Sequence, residues 1–78
     1  MLNIYAFIAM TEAEKAGAVW GGTYLGERFE NTTTIQLYGV GDFYVEVFYE
    51  PLINRITRFR PFKNDRLLEP YLKNINII

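Results

Sequence analysis

The sequence contains no histidine, no cysteine and no serine. Without histidine it lacks the side chain that ordinarily titrates near neutral pH and serves as general base. Without cysteine it has no thiolate nucleophile and no disulfide, and without serine no serine nucleophile. Zinc sites built on His or Cys are excluded together with them. The six glycines are scattered and never form a phosphate-binding loop ending in Lys-Thr or Lys-Ser. No apolar run approaches the roughly 20 residues a membrane-spanning helix needs. The first ten residues are apolar but carry no basic n-region, so they do not read as a signal peptide. A cytoplasmic, non-catalytic protein without metal or cofactor is the expectation from these absences.

What remains is hydrophobic and aromatic. Half of the 78 residues are hydrophobic and 17% are aromatic, which argues against disorder. The length predicts one domain over residues 1–78. A chain of this size buries only about 60% of its unfolded surface. Charge is unevenly divided. Residues 1–54 hold two basic and seven acidic side chains, whereas residues 55–78 hold six basic and two acidic ones. That basic half suggests either a nucleic-acid patch or a basic strand neutralising an acidic one beside it. The second reading is favoured, because charge patterning more often serves folding and solubility.

The organising stretch is Gly41 to Phe62. Phe43, Val45, Val47 and Tyr49 alternate with Tyr44, Glu46, Phe48 and Glu50, the period of a strand. Pro51 and Asn54 mark a turn, and Ile56 to Phe62 forms a second strand. Pairing Glu50 with Ile56 across a five-residue loop sets Phe48 opposite Arg58 and Glu46 opposite Arg60. Tyr49 then meets Thr57, and Val47 meets Phe59. This register gives one apolar face and one charged, aromatic face; a one-residue slip would turn both arginines inward.

Upstream, residues 2–9 fit either a helix or a strand, and a short helix is expected. Thr11 to Trp20 predicts a helix opened by a capping box of Thr11 and Glu14. Ala13, Ala16, Gly17 and Trp20 lie on one side of it, and Gly21 and Gly22 end it. Thr23 to Glu30 reads as a strand with Leu25 and Phe29 towards the core. Thr33 to Val40 reads as another, with Ile35 and Leu37 inward. Asn64 or Asp65 can cap a last helix through Glu69, which Pro70 ends. The fold class expected is α+β: a four-stranded antiparallel meander with helices from both chain ends on one face.

Acid–base chemistry by paired carboxylates is excluded for Glu46 and Glu50, which share a strand face about 13 Å apart. That exceeds the roughly 5–9.5 Å of a glycosidase pair. Glu12 and Glu14 read as first-turn helix acids favoured by the helix dipole. One enzymatic alternative is a histidine-free ribonuclease of the toxin type, using Arg58, Arg60, Lys63 and Tyr71, on fold-level analogy alone.

The positive signal is the expected outer face: Tyr24, Arg28, Gln36, Tyr38, Tyr44, Glu46, Phe48, Arg58 and Arg60. Aromatics with arginine are characteristic of interface hot spots. Three readings stay open. The face is a protein interface, for a second copy or a separate partner. Alternatively it binds single-stranded nucleic acid, stacking bases on Tyr38, Tyr44 and Phe48. Or it is a second core, covered by the N-terminal segment. The first is carried forward, with Tyr38, Tyr44, Glu46, Phe48, Arg58 and Arg60 as candidate binding residues.

The stretch FYVEVFYEPLINRITRFRPF, followed by LLEPYL and INI, resembles a group of small uncharacterised bacterial proteins. Glu14, Lys15 and Trp20 on the helix, Tyr44 to Tyr49 on the sheet and Leu68 to Leu72 near the end carry that resemblance. It covers roughly residues 11–77 and implies no activity. From size and type alone, an inhibitor or immunity protein of phage or mobile-element origin, binding a larger nuclease, is a further expectation.

Overall fold

In the structure, a computed structural model, residues 2–63, 68, 70 and 71 are described. The chain forms two short helices, α1 (Ile4–Ile8) and α2 (Glu12–Trp20). Four strands follow: β1 (Thr23–Glu30), β2 (Thr33–Val40), β3 (Phe43–Glu50) and β4 (Arg55–Phe62). The strands pair antiparallel in the order β1-β2-β3-β4, an α+β architecture built on a meander. The expected helix from Asn64 or Asp65 lies outside the described residues. No helix among them is long and apolar enough to cross a membrane.

Local chemistry explains where each element starts. The Asn3 side chain accepts from the Ala6 N–H at 2.8 Å and opens α1. The capping box is present: Thr11 Oγ1 accepts from Glu14 N–H at 3.2 Å, and Glu14 Oε1 accepts from Thr11 N–H at 2.9 Å. Two N–H groups that the first turn would leave unpaired are thereby satisfied. The side of α2 that is buried is Val19, with Ala18 partly so, whereas Trp20 is 51% exposed. Alanines are almost neutral in the hydrophobic pattern, so they misplace the stripe, and the one β-branched residue decides it.

Residues paired across a ladder share a face, and the ladders show that both faces of this sheet are apolar. On the helix side lie Val40, Phe43, Val45 and Val47, buried with Phe7 of α1 and Val19 of α2. On the far side lie Leu37 and Phe62, buried with Tyr71 and joined by Leu25, Tyr44 and Leu68. Among the described residues, α1 and α2 therefore pack on one face, and Leu68 and Tyr71 on the other. Leu68 and Tyr71 pack on the far face, which one of the three open readings gave to the N-terminal segment.

Two irregularities set the faces. Val40 pairs with Phe43 around the two-residue turn Gly41-Asp42, where Gly41 has φ 58°. A loop of two residues brings Tyr38 opposite Val45 and Leu37 opposite Glu46. Tyr38 thus lies on the helix side and Ile35 and Leu37 on the far side, the reverse of the alternation expected. In β1 the register shifts between Tyr24 and Gly26, leaving Leu25 as an extra residue. Such a bulge changes the phase of every side chain after it. Tyr24, expected on the outer face, lies on the helix side, whereas Arg28 lies on the far side as expected, and Phe29, expected inside, is 69% exposed.

The hairpin register holds for Glu46 with Arg60, Val47 with Phe59 and Phe48 with Arg58. It then shifts, so that Tyr49 pairs with Ile56 and Glu50 with Arg55, closing a four-residue turn, not five. The hydroxyl of Thr57, the residue left over, donates to the Phe48 carbonyl at 3.4 Å. Asn54 takes the left-handed conformation at φ 52° and accepts from the Tyr49 hydroxyl.

Where α2 meets the sheet, the backbone is close. A Cβ on Gly22 would lie 2.4 Å from the Gly39 carbonyl oxygen and 3.2 Å from the Val19 carbonyl oxygen. Both obstacles are backbone, so relief requires the helix to move off the sheet. Gly22→Ala is expected to destabilise by about 1–3 kcal/mol, the usual cost of overpacking. Urea midpoints of the two proteins measure it; an unchanged midpoint would refute the close approach.

Candidate functional site

The far face is organised by a buried carboxylate. Glu46, in the middle of β3, is 1% exposed. Its Oε2 accepts from Arg28 Nε at 3.2 Å, Arg28 Nη2 at 3.1 Å and the Tyr71 hydroxyl at 2.5 Å. Its Oε1 accepts from Arg60 Nη1 at 3.4 Å. The donors come from β1, β4 and the segment after β4, so one side chain ties together three separate parts of the chain. No buried side-chain polar atom among the described residues lacks a partner. That completeness is what makes a buried charge tolerable.

The surroundings shift the ionisation of two members. Burial pushes the Tyr71 phenol well above its ordinary value, and the adjacent Glu46 charge pushes it further. Burial works against the Arg28 guanidinium, but the neighbouring Glu30, Tyr71 and Glu46 together hold it above its ordinary value. Arg28 also lies over the Tyr71 ring, 5.8 Å from its centroid.

Beyond this network the face opens. Phe48 is half-buried, and the exposed Arg58 guanidinium covers its ring at 5.3 Å from the centroid. Among the described residues, neither Arg55 nor Arg58 has an ion-pair partner; Glu50, opposite Arg55, accepts from the Thr33 hydroxyl.

The structure thus brings Tyr44, Glu46, Phe48, Arg58 and Arg60 onto one face and sets Tyr38 on the other. Tyr44 stacks on Phe62 at 5.5 Å and belongs to the second core. Arg60 and Glu46 are occupied with each other. Phe48 and Arg58 are the pair presented outward. The residues proposed for a ribonuclease are dispersed in purpose: Arg60 and Tyr71 bind Glu46, and Lys63 pairs with Asp42 at 3.3 Å. Among the described residues, no acidic cluster suits a metal ion.

Sequence reasoning missed two features. One is the burial of Glu46, which alternation placed on a solvated face; the signal available was the number of cations near it, Arg28 and Arg60. The other is the aromatic group formed by Trp20, Tyr24 and Tyr38 on the helix side. Gly26, a weak strand residue, was the local sign of the bulge that creates it. Comparison with protein-family models, curated proteins and solved structures returned no match.

Proposed function

We propose that the protein is a non-catalytic binding module that docks a protein partner with an acidic surface through Phe48 and Arg58. One observation carries this reading. Of the three arginines on the far face whose side-chain contacts are described, Arg28 and Arg60 are consumed by Glu46, whereas Arg58 lies exposed over an aromatic ring. An arginine stacked on a ring is already oriented, so little of its rotamer freedom is lost on docking. Arg55, nearby on the same strand, adds positive charge without a carboxylate of its own among the described residues. The usual active-site nucleophiles and bases are missing from the composition, which supports binding over catalysis.

The test pairs wild type with Arg58→Glu, a surface change that leaves both cores intact. Capture from the native host is expected to retain a partner on wild type and to lose at least ~10-fold of it on the variant, with circular dichroism unchanged. Equal recovery from both refutes the role of Arg58. A sedimentation mass of two chains, abolished by the same substitution, identifies the partner as a second copy. Binding of single-stranded oligonucleotide with a steep salt dependence would transfer the site to nucleic acid.

A further inference from the structure

On the opposite face, Trp20 closes α2 directly above β2. The approach of Gly22 to Gly39 holds it there. Its ring stands 5.5 Å from that of Tyr38, inclined at 66°. Tyr24 stands 5.6 Å from Tyr38 on the β1 side, inclined at 71°. Trp20 and Tyr24 are each 51% exposed, so the group presents ring surface to solvent instead of closing over itself. The bulge at Leu25 puts Glu27 on this same face, opposite Gln36, in the next pair on that face after Tyr24 and Tyr38. Its charge acts on Tyr24, whose phenol is raised by burial and then by Glu27. Among the described residues, Glu27 has no cationic partner.

Ring faces carry negative potential, strongest for tryptophan, and attract cations. The protein already uses this pairing three times: Lys15 over Phe7, Arg28 over Tyr71 and Arg58 over Phe48. The group with the tryptophan and a neighbouring carboxylate takes none of the described cations. We propose that Trp20, Tyr24, Tyr38 and Glu27 form a recognition site for an organic cation, an alkylammonium or guanidinium group. The group is carried either by a free small molecule or by a side chain of a bound protein. This site is separate from the Phe48–Arg58 surface and selects the opposite charge.

Trp20 is the sole tryptophan, so its fluorescence reports the site directly. The full chain is titrated at constant ionic strength with tetramethylammonium, with N-acetyl-arginine amide and with the neutral isostere 3,3-dimethyl-1-butanol. Saturable changes are expected with one or both cations and none with the alcohol. Preference for tetramethylammonium indicates a compact small-molecule cation, and preference for the arginine derivative a protein side chain. Glu27→Gln, an isosteric change at a half-buried position, is expected to weaken cation binding about 2–5-fold. Tyr24→Leu is expected to do the same while circular dichroism stays unchanged. Equal response to the alcohol, no saturable response to either cation, or unchanged affinity in Glu27→Gln each overturns the proposal. If Tyr24→Leu unfolds, the Glu27→Gln comparison and the alcohol decide the matter.

Discussion

Glu46→Ala is expected to lower stability by about 3–5 kcal/mol, the cost of removing one partner from a buried ion pair. The whole stability of a 78-residue domain is only ~4–12 kcal/mol at typical values per residue. Only where the starting stability lies at the bottom of that range would much of the population unfold at room temperature; otherwise the loss is read as a lowered midpoint in chemical denaturation. The loss has two sources. Arg28 and Arg60 lose the carboxylate they share, and the buried Tyr71 hydroxyl loses its acceptor. Arg60, with 37% of its side chain exposed, can turn to water, which places the result towards the lower end. Replacing all the tightly engaged groups together, as Arg28→Met with Glu46→Leu and Tyr71→Phe, is expected to recover most of the loss. No orphaned charge or hydroxyl then remains in the second core. A loss below ~1 kcal/mol for Glu46→Ala would mean that the carboxylate is solvated.

Tyr71→Ala is expected to cost about 3–5 kcal/mol, since it removes the largest fully buried side chain and opens Leu37 and Phe62 to water. Tyr71→Phe keeps the packing but takes one donor from a buried carboxylate, an expected loss of about 1–3 kcal/mol. The phenol adds a pH dependence whose sign is determined. Its folded pKa lies above the ordinary 10.0, so above about pH 10 the unfolded chain releases this proton while the folded chain keeps it. The unfolded state then binds fewer protons, and stability falls as pH rises. Urea midpoints between pH 9 and pH 11 should decline for wild type and less steeply for Tyr71→Phe. Tyr24→Phe is the control, because its phenol is also raised. Identical slopes for wild type and Tyr71→Phe would show that the hydroxyl is free.

The elements were legible because local chemistry specifies them. Period-two alternation, the Thr11–Glu14 box and the turn residue Asn54 each act within a few residues. The hairpin pairing of Glu46 with Arg60 and of Phe48 with Arg58 followed from burial of Val45 and Val47. The division of residues between faces was less legible. One extra residue, Leu25, and one short turn, Gly41-Asp42, each reverse the phase of a strand, and neither changes the composition of the run it sits in. Tyr38, read as a companion of Tyr44, moved to the other face for that reason alone.

From its residues alone, this chain had to become an antiparallel sheet with a capped helix before it, and it had to do its work without imidazole, thiol or serine hydroxyl. Which charges face solvent was decided only by the folded arrangement. A strand states that Glu46 and Arg58 share a side; only the approach of β1 and of Tyr71 from distant parts of the chain makes the first a buried anchor and leaves the second exposed. Burial is a property of what covers a residue, and the covering groups here lie 18 and 25 positions away along the chain.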